Sequence, residues 1–442
     1  MATGPWGRVR RIVEAAVGRT PWSARIVAAL SLGLLSACGT ISGAAITTAP
    51  VRATGGVADG VTNASTVTGG LAAFYQTPVL LAPERPGTVI RSMVIPSNGL
   101  LPRGAVAYRV LYHSETVTGA DTAVSGMVVV PGVAPPTGGY PIVTWAHGTT
   151  GLADQCAPSL DGFTSIPLLD ALLDHGDIVA ATDYEGLGTP GVHPYLVGQS
   201  EGQNVLDAAR AARYLVGATA SDEVAVVGYS QGGQAALFAS QIAPAYAPDL
   251  VVVGTVAAAP VTSLDEFIPQ GTSTSGDPAA VYAVMALDAW AGTYGNLDLS
   301  SVLTPAVLRH GADITTECSG ALAALYDSMA ADQVFTAGWA EAPGVQADLD
   351  QNEPGREPSP TPLLVVEGAE DTLTPSATVS AFVSDTLCRS DRDTVTFVSL
   401  PQTGHGGVML TGATDIVQWL SSRLAHDPVP DSCAPSGRPR TG

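Results

Sequence analysis

The sequence contains no lysine: all 19 basic side chains among its 442 residues are arginine. Charge is scarce altogether, at 13% of residues, and lopsided, with 40 acidic side chains giving a formal net charge of −21. A nucleic-acid face needs clustered cations that displace counterions, so this composition argues against a DNA or RNA partner. Acidity on this scale speaks to solubility and names no partner. Cysteine is sparse: five residues with no CxxC pair, which argues against a zinc site, and no metal is expected. No internal repeat is visible. The N-terminal apolar run, Ile26 to Leu35, is too short for a membrane span.

What is present begins with an address. Arg8, Arg10, Arg11, Arg19 and Arg25 precede that run, as in the positive region of a signal peptide, and Leu35-Ser36-Ala37-Cys38 follows it. This tetrapeptide resembles a bacterial lipobox, in which the cysteine is lipid-modified and becomes the first mature residue. Residues 1–37 are therefore read as a lipoprotein signal peptide and Cys38 as the anchor to the outer face of the bacterial membrane. An ordinary secretion signal is the alternative. Lipidation of Cys38 leaves Cys156, Cys318, Cys388 and Cys433, enough for two disulfides in an oxidising compartment, with three connectivities open. Residues 38–73, rich in Ala, Gly, Thr and Ser without apolar periodicity, read as a flexible tether.

With 46% hydrophobic residues the remainder can build a sizeable core. Its organising stretch is Val224 to Phe238, VAVVGYSQGGQAALF. A short apolar run passes through Gly228-Tyr229-Ser230-Gln231-Gly232-Gly233 into an Ala/Leu-rich segment, which is the strand, sharp turn and helix of a G-x-S-x-G nucleophile elbow. The glycines allow a turn too tight for side chains and lift the Ser230 hydroxyl to a helix N-terminus, where negative charge is favoured.

Strands are expected at Ala105–Ser114, Ala123–Pro131, Tyr140–Ala146, Ile178–Thr182 and Leu250–Ala259. Helices are expected over Ser165–His175 and from a capping box at Ser200-Glu201-Gly202-Gln203 through Val216. The alternation stops from Pro260 to about Pro360, a helical, loop-like stretch read as an insertion over the site. It resumes with a strand at Leu363–Glu367, a helix at Pro375–Leu387, a strand at Thr394–Leu400 and a closing helix at Asp415–Leu424. Strands alternating with helices imply an α/β fold with a mostly parallel central sheet, spanning about 74–435 with the insertion at about 261–360.

Serine needs a base, and the base an orienting acid. In α/β-hydrolases these follow the nucleophile in the order acid, histidine. His405, in the glycine loop Gln402 to Gly407, is the expected base, with His310 in the insertion as its rival. Asp371, in Gly368-Ala369-Glu370-Asp371-Thr372-Leu373-Thr374-Pro375, is the expected acid, with Glu370 and Glu367 as rivals. One oxyanion N–H is expected from Gln231 and the second from an earlier strand end, at His147-Gly148 or at Asp183.

These pieces together resemble the secretory lipase family typified by a Candida lipase A, within the α/β-hydrolase superfamily. The resemblance rests on Trp145 to Gly151, Asp154 to Ser159, Asp183-Tyr184-Glu185-Gly186, the segment from Gln199 to Ala208, the Gly228 to Gly233 elbow, Glu370-Asp371 with Pro375, and Gly404-His405. It implies a carboxylester hydrolase with a helical cap and a Ser230–Asp371–His405 triad. It puts the oxyanion donors at Asp183 and Gln231, with Gly148 as the alternative second donor, and implies disulfides Cys156–Cys318 and Cys388–Cys433. The expected substrate is an acyl ester or lipid, and no cofactor is expected. An acyltransferase acting on envelope alcohols would use the same triad. A non-catalytic binding protein of the same fold would not need all three triad residues in order.

Overall fold

The computed structural model describes residues 70–433 apart from 79–80, 271–278, 327–328 and 390–392. The signal segment, Cys38 and most of the proposed tether lie outside the described residues. The described chain opens with a helix at Gly70–Tyr75, so the last four residues assigned to the tether are helical.

Nine strands form one sheet: β1 (Val89–Ile95), β2 (Val106–Glu115), β3 (Asp121–Val130), β4 (Tyr140–Ala146), β5 (Ile178–Thr182), β6 (Ala220–Tyr229), β7 (Val251–Ala258), β8 (Leu363–Gly368) and β9 (Val395–Leu400), in the order β1-β2-β3-β5-β4-β6-β7-β8-β9. The β1–β2, β2–β3 and β3–β5 pairs are antiparallel, and every pair from β5 to β9 is parallel. The parallel strands are short apolar runs because helices cover both faces. Ile142, Ile178, Val224 and Val226 pack against the helices Gly198–Val216 and Gln231–Tyr246. Val143, Val179, Ala225 and Val227, one residue out of phase, pack against Leu169–His175 and Ala413–Leu424. This period-2 division of one strand between two cores is the pleat acting on an all-apolar sequence.

β1 has no counterpart among the strands expected from the sequence. The expected capping box does not form: the helix already starts at Gly198, and Ser200 and Glu201 are buried inside it. Ser200 Oγ donates instead to Glu185 Oε2 at 2.8 Å.

The stretch between β7 and β8 carries eight described helices, from Leu264–Gln270 to Pro343–Asn352. They enclose a cluster of their own, including Trp290, Val284, Leu287 and Val302, all fully buried. The Cys156–Cys318 disulfide ties this cap to the loop after β4. A backbone bond from Ser319 N to Thr150 O at 2.9 Å runs alongside it. Cys388–Cys433 joins the end of the helix before β9 to the C-terminal segment.

Candidate active site

Because β4 to β9 run parallel, the loops that follow them open on one edge of the sheet, where open α/β folds place their ligands. His147 follows β4, Asp183 β5, Ser230 β6, Asp371 β8 and His405 β9.

Ser230 sits at φ 57, ψ −117 between β6 and its helix. This backbone is costly for a residue with a Cβ, and the neighbours enforce it. A Cβ on Gly228 would lie 1.8 Å from Gly232 O, and one on Gly232 2.0 Å from Ala146 O. Ser230 N donates to Ala258 O at 2.9 Å, fixing the turn against β7.

His405 Nε2 lies 2.9 Å from Ser230 Oγ, and His405 Nδ1 lies 2.7 Å from Asp371 Oδ2. Both contacts hold if Nδ1 carries the proton, which leaves Nε2 free to accept the serine proton. The Asp371 carboxylate is further held by the N–H groups of Leu373 and Thr374, at 2.9 and 3.0 Å on Oδ1, and by the Thr374 hydroxyl at 3.1 Å on Oδ2. Burial pushes the Asp371 carboxyl up. Hydrogen bonds from His405, Thr374 and Glu367, with the imidazolium charge, outweigh it and hold the group below the ordinary aspartate value. The loop that presents His405 is clamped by Tyr229, whose hydroxyl donates to His405 O at 3.0 Å.

The rivals lie elsewhere. His310 is an exposed cap residue paired with Asp313 at 2.9 Å. Glu370 is exposed, whereas Glu367 is fully buried beneath Asp371.

The N–H of Gln231 heads its helix and donates to no backbone carbonyl, as the first N–H groups of a helix must. Asp183 does not match its expected role. Its N–H is committed to Ser125 O at 2.9 Å in the β3–β5 pairing. Its buried carboxylate takes Ser125 Oγ at 2.6 Å, Ser159 N at 2.9 Å and Ser159 Oγ. Asp183 therefore braces the loop before the site. The alternative, Gly148, lines the Ser230 cleft and donates to no backbone carbonyl.

Sequence reasoning missed a buried network behind the elbow. Gln231 Nε2 donates to Glu201 Oε1 at 2.7 Å and to His193 Nε2 at 3.0 Å. His193 Nδ1 donates to Glu185 O at 2.9 Å. Burial drives His193 down to about 3 and Glu201 up to about 8, so both are neutral near pH 7. Glu201 and Gln231 stand out in the sequence for other roles, but nothing local shows that they meet each other and His193, because the contact joins the segment around Glu201 to a glutamine 30 residues later.

Ser230 opens on a cleft of about 720 Å³, walled by Gly148 and Thr149 on the core side and by Phe267 and Tyr282 from the cap. Leu373 and Met409 complete an apolar lining beside His405. A nucleophile in contact with a base, a base in contact with a buried acid, and a cleft with an apolar patch above them are the arrangement for acyl transfer.

The secretory lipase profile matches residues 163–432. The chain belongs to the secretory lipase family. Its relatives include a lipase A from Arthroderma benhamiae, 27% identical over 82% of this chain and 81% of that one. They also include a Mycobacterium tuberculosis protein named "Probable inactive lipase", 31% identical over 48% of this chain and 50% of that one. In the latter case the chain matches only half the length of its relative. Among solved structures, the closed state of Candida antarctica lipase A is similar with a TM-score of 0.70 at 18% identity, covering 82% of this chain and 88% of that one. That likeness speaks to the α/β-hydrolase fold. Membership of a secretory lipase family supports an ester substrate and export. Among the described residues no helix is long and apolar enough to cross a membrane.

Proposed function

We propose that this secretory lipase family member is an active serine carboxylester hydrolase. Ser230 Oγ attacks the ester carbonyl as its proton passes to His405 Nε2. The tetrahedral oxyanion is held by the N–H groups of Gln231 and Gly148. Collapse expels the alcohol, which takes the proton from His405 and leaves an acyl group on Ser230. Water, deprotonated by His405, then attacks the acyl carbonyl, and the acid leaves as Ser230 regains its proton. Asp371 holds His405 in the required tautomer and balances its transient charge.

The observation that carries this reading is the unbroken chain Ser230 Oγ–His405–Asp371, at 2.9 and 2.7 Å. It favours retained chemistry over a hydrolase fold that has lost it. The test is hydrolysis of p-nitrophenyl esters. Ser230→Ala and His405→Ala should each lower turnover by on the order of 10⁶, and the double variant should be little worse, because the triad works as a unit. Residual activity near wild type in either variant would rule the triad out.

The anchor belongs to the same reading. Cys38 carries lipid, and residues from Gly39 to about Gly70 tether the catalytic domain to the outer face of the membrane. The support is the register of Leu35, Ser36, Ala37 and Cys38 after the apolar run.

A further inference from the structure

Glu367 is the second-to-last residue of β8 and is fully buried. Its Oε1 accepts the N–H of Gly368 at 2.8 Å, while Oε2 meets no N–H or hydroxyl donor among the described residues. The Asp371 carboxyl lies against it, close enough for the two carboxyl groups to share a hydrogen bond. The charge acting on Glu367 is that of Asp371, of like sign. Two touching carboxyls in a dry site cannot both ionise, and a hydrogen bond between them needs one proton. Asp371 already receives His405 Nδ1–H, two backbone N–H groups and the Thr374 hydroxyl. Glu367 receives one N–H. The negative charge therefore belongs on Asp371 and the proton on Glu367.

We propose that Glu367 is a positioning residue of the triad, a buried carboxylic acid whose hydroxyl donates to the Asp371 carboxylate and holds it beneath His405. This rests on the Ser230–His405–Asp371 reading above and extends it to a fourth member. This donor is the fifth on Asp371 and ties its carboxylate to β8, so that it does not swing away from His405. Burial, with the Asp371 charge second, pushes Glu367 up to about 9, so the acid stays protonated at neutral pH. The other titratable groups around it are His405 on Asp371, and Tyr229 across from both carboxyls, whose phenol burial pushes up and keeps neutral. Above its titration Glu367 loses the hydroxyl that donates to Asp371 and becomes a second negative charge against it, which pushes the Asp371 carboxylate out of place beneath His405 and lowers activity.

The test compares Glu367→Gln, which keeps a donor of the same shape, with Glu367→Leu, which removes it. The readouts are kcat and KM for a p-nitrophenyl ester from about pH 6 to 10. The glutamine variant should stay within about threefold of wild type in kcat and lose the alkaline decline. The leucine variant should lose about tenfold or more in kcat with KM unchanged. The downfield proton resonance of His405 Nδ1–H, read without substrate, should move in Glu367→Leu and stay in place in Glu367→Gln. A folded leucine variant with wild-type kcat, pH profile and resonance would overturn the proposal. So would a glutamine variant as impaired as leucine, or one that keeps the alkaline decline. Should the leucine variant not fold, the pH profile of Glu367→Gln decides. Should wild type hydrolyse no ester, the resonance decides separately from the proposed activity.

Discussion

Ser230 holds a positive φ because β7 bonds its N–H and because Gly228 and Gly232 leave room for the chain to reverse. The elbow is thus fixed by backbone atoms that cannot move aside. Gly228→Ala should collapse it: the added methyl meets Gly232 O at 1.8 Å, and stable, soluble protein should fall sharply in expression trials and thermal melts. A variant that melts like wild type would show that the turn is softer than this. His310→Ala should leave turnover and stability near wild type, since it removes an exposed ion pair worth about 0–1 kcal/mol. Assay of this variant beside His405→Ala separates the two candidate bases. The meeting of Ser230, His405 and Asp371 was legible in the sequence because chain order and glycine context constrain it. Ser230 lies between an apolar run and a helix, Asp371 follows a strand, and His405 sits in a glycine loop. The second oxyanion donor was not. Asp183 and Gly148 both follow parallel strands at the same edge, and only the β3–β5 pairing reveals that the Asp183 N–H is already bonded to Ser125.

At the scale of elements, strands buried on both faces announce themselves as continuous apolar runs, and Tyr140–Ala146 and Ile178–Thr182 were readable to the residue. β1 was not. It is an edge strand whose pairing with β2 shifts register between Val89 and Arg91, so its buried residues, Val89, Ser92 and Ile95, recur every third position and break the alternation. Arg91 donates to Ala73 O and Phe74 O, a use of charge that no local pattern encodes. The expected capping box fails because the helix starts earlier, at Gly198: Ser200 is inside it and bonds to Glu185, while Glu201 reaches back to the N–H of Leu196 at 2.9 Å as well as to Gln231. The cap's attachment is the element-scale device with a measurable consequence. Cys156–Cys318 closes a sequence separation of 162 residues. Cys318→Ser should cost about 2–5 kcal/mol in denaturant unfolding. It should also raise KM more than it lowers kcat, because Cys156 and Cys318 wall the cleft while the triad is built on the sheet. Unchanged stability and KM would mean that Ser319 N–Thr150 O and the cap's own packing hold it unaided.

The whole molecule buries many carboxyls and carries an excess of negative charge, and both shape its response to pH. Burial pushes Glu185 and Glu353 up to about 7, Glu201 to about 8 and Glu367 to about 9. Between about pH 6.5 and 9 the folded chain therefore binds more protons than the unfolded one, and stability falls as pH rises. Below about pH 6.5 the buried histidines His193 and His147, held low by burial, act in the opposite sense, but these two groups offset the four glutamates only near about pH 4.5, where free glutamate itself titrates. Tm should accordingly be highest near about pH 5 and decline toward pH 9 in a scanning series. A Tm that climbs steadily to pH 9 would contradict the burial of these groups. At the same scale, Cys38→Ser should leave turnover intact while abolishing incorporation of labelled fatty acid and releasing the protein or leaving it unprocessed. A single acyl chain anchors only marginally, and no polybasic segment follows Cys38, so the proposed anchor would need several chains on that cysteine. Wild-type protein that is unlabelled, with another N-terminus, would reduce the segment to an ordinary secretion signal. The central claim, that Ser230 is a nucleophile activated by His405, is tested most directly by the mass of the intact protein after exposure to a fluorophosphonate. The account predicts one adduct per molecule, mapped by peptide analysis to Ser230, absent in Ser230→Ala and formed far more slowly in His405→Ala. An unlabelled wild-type protein, or an adduct on any other residue, would contradict it.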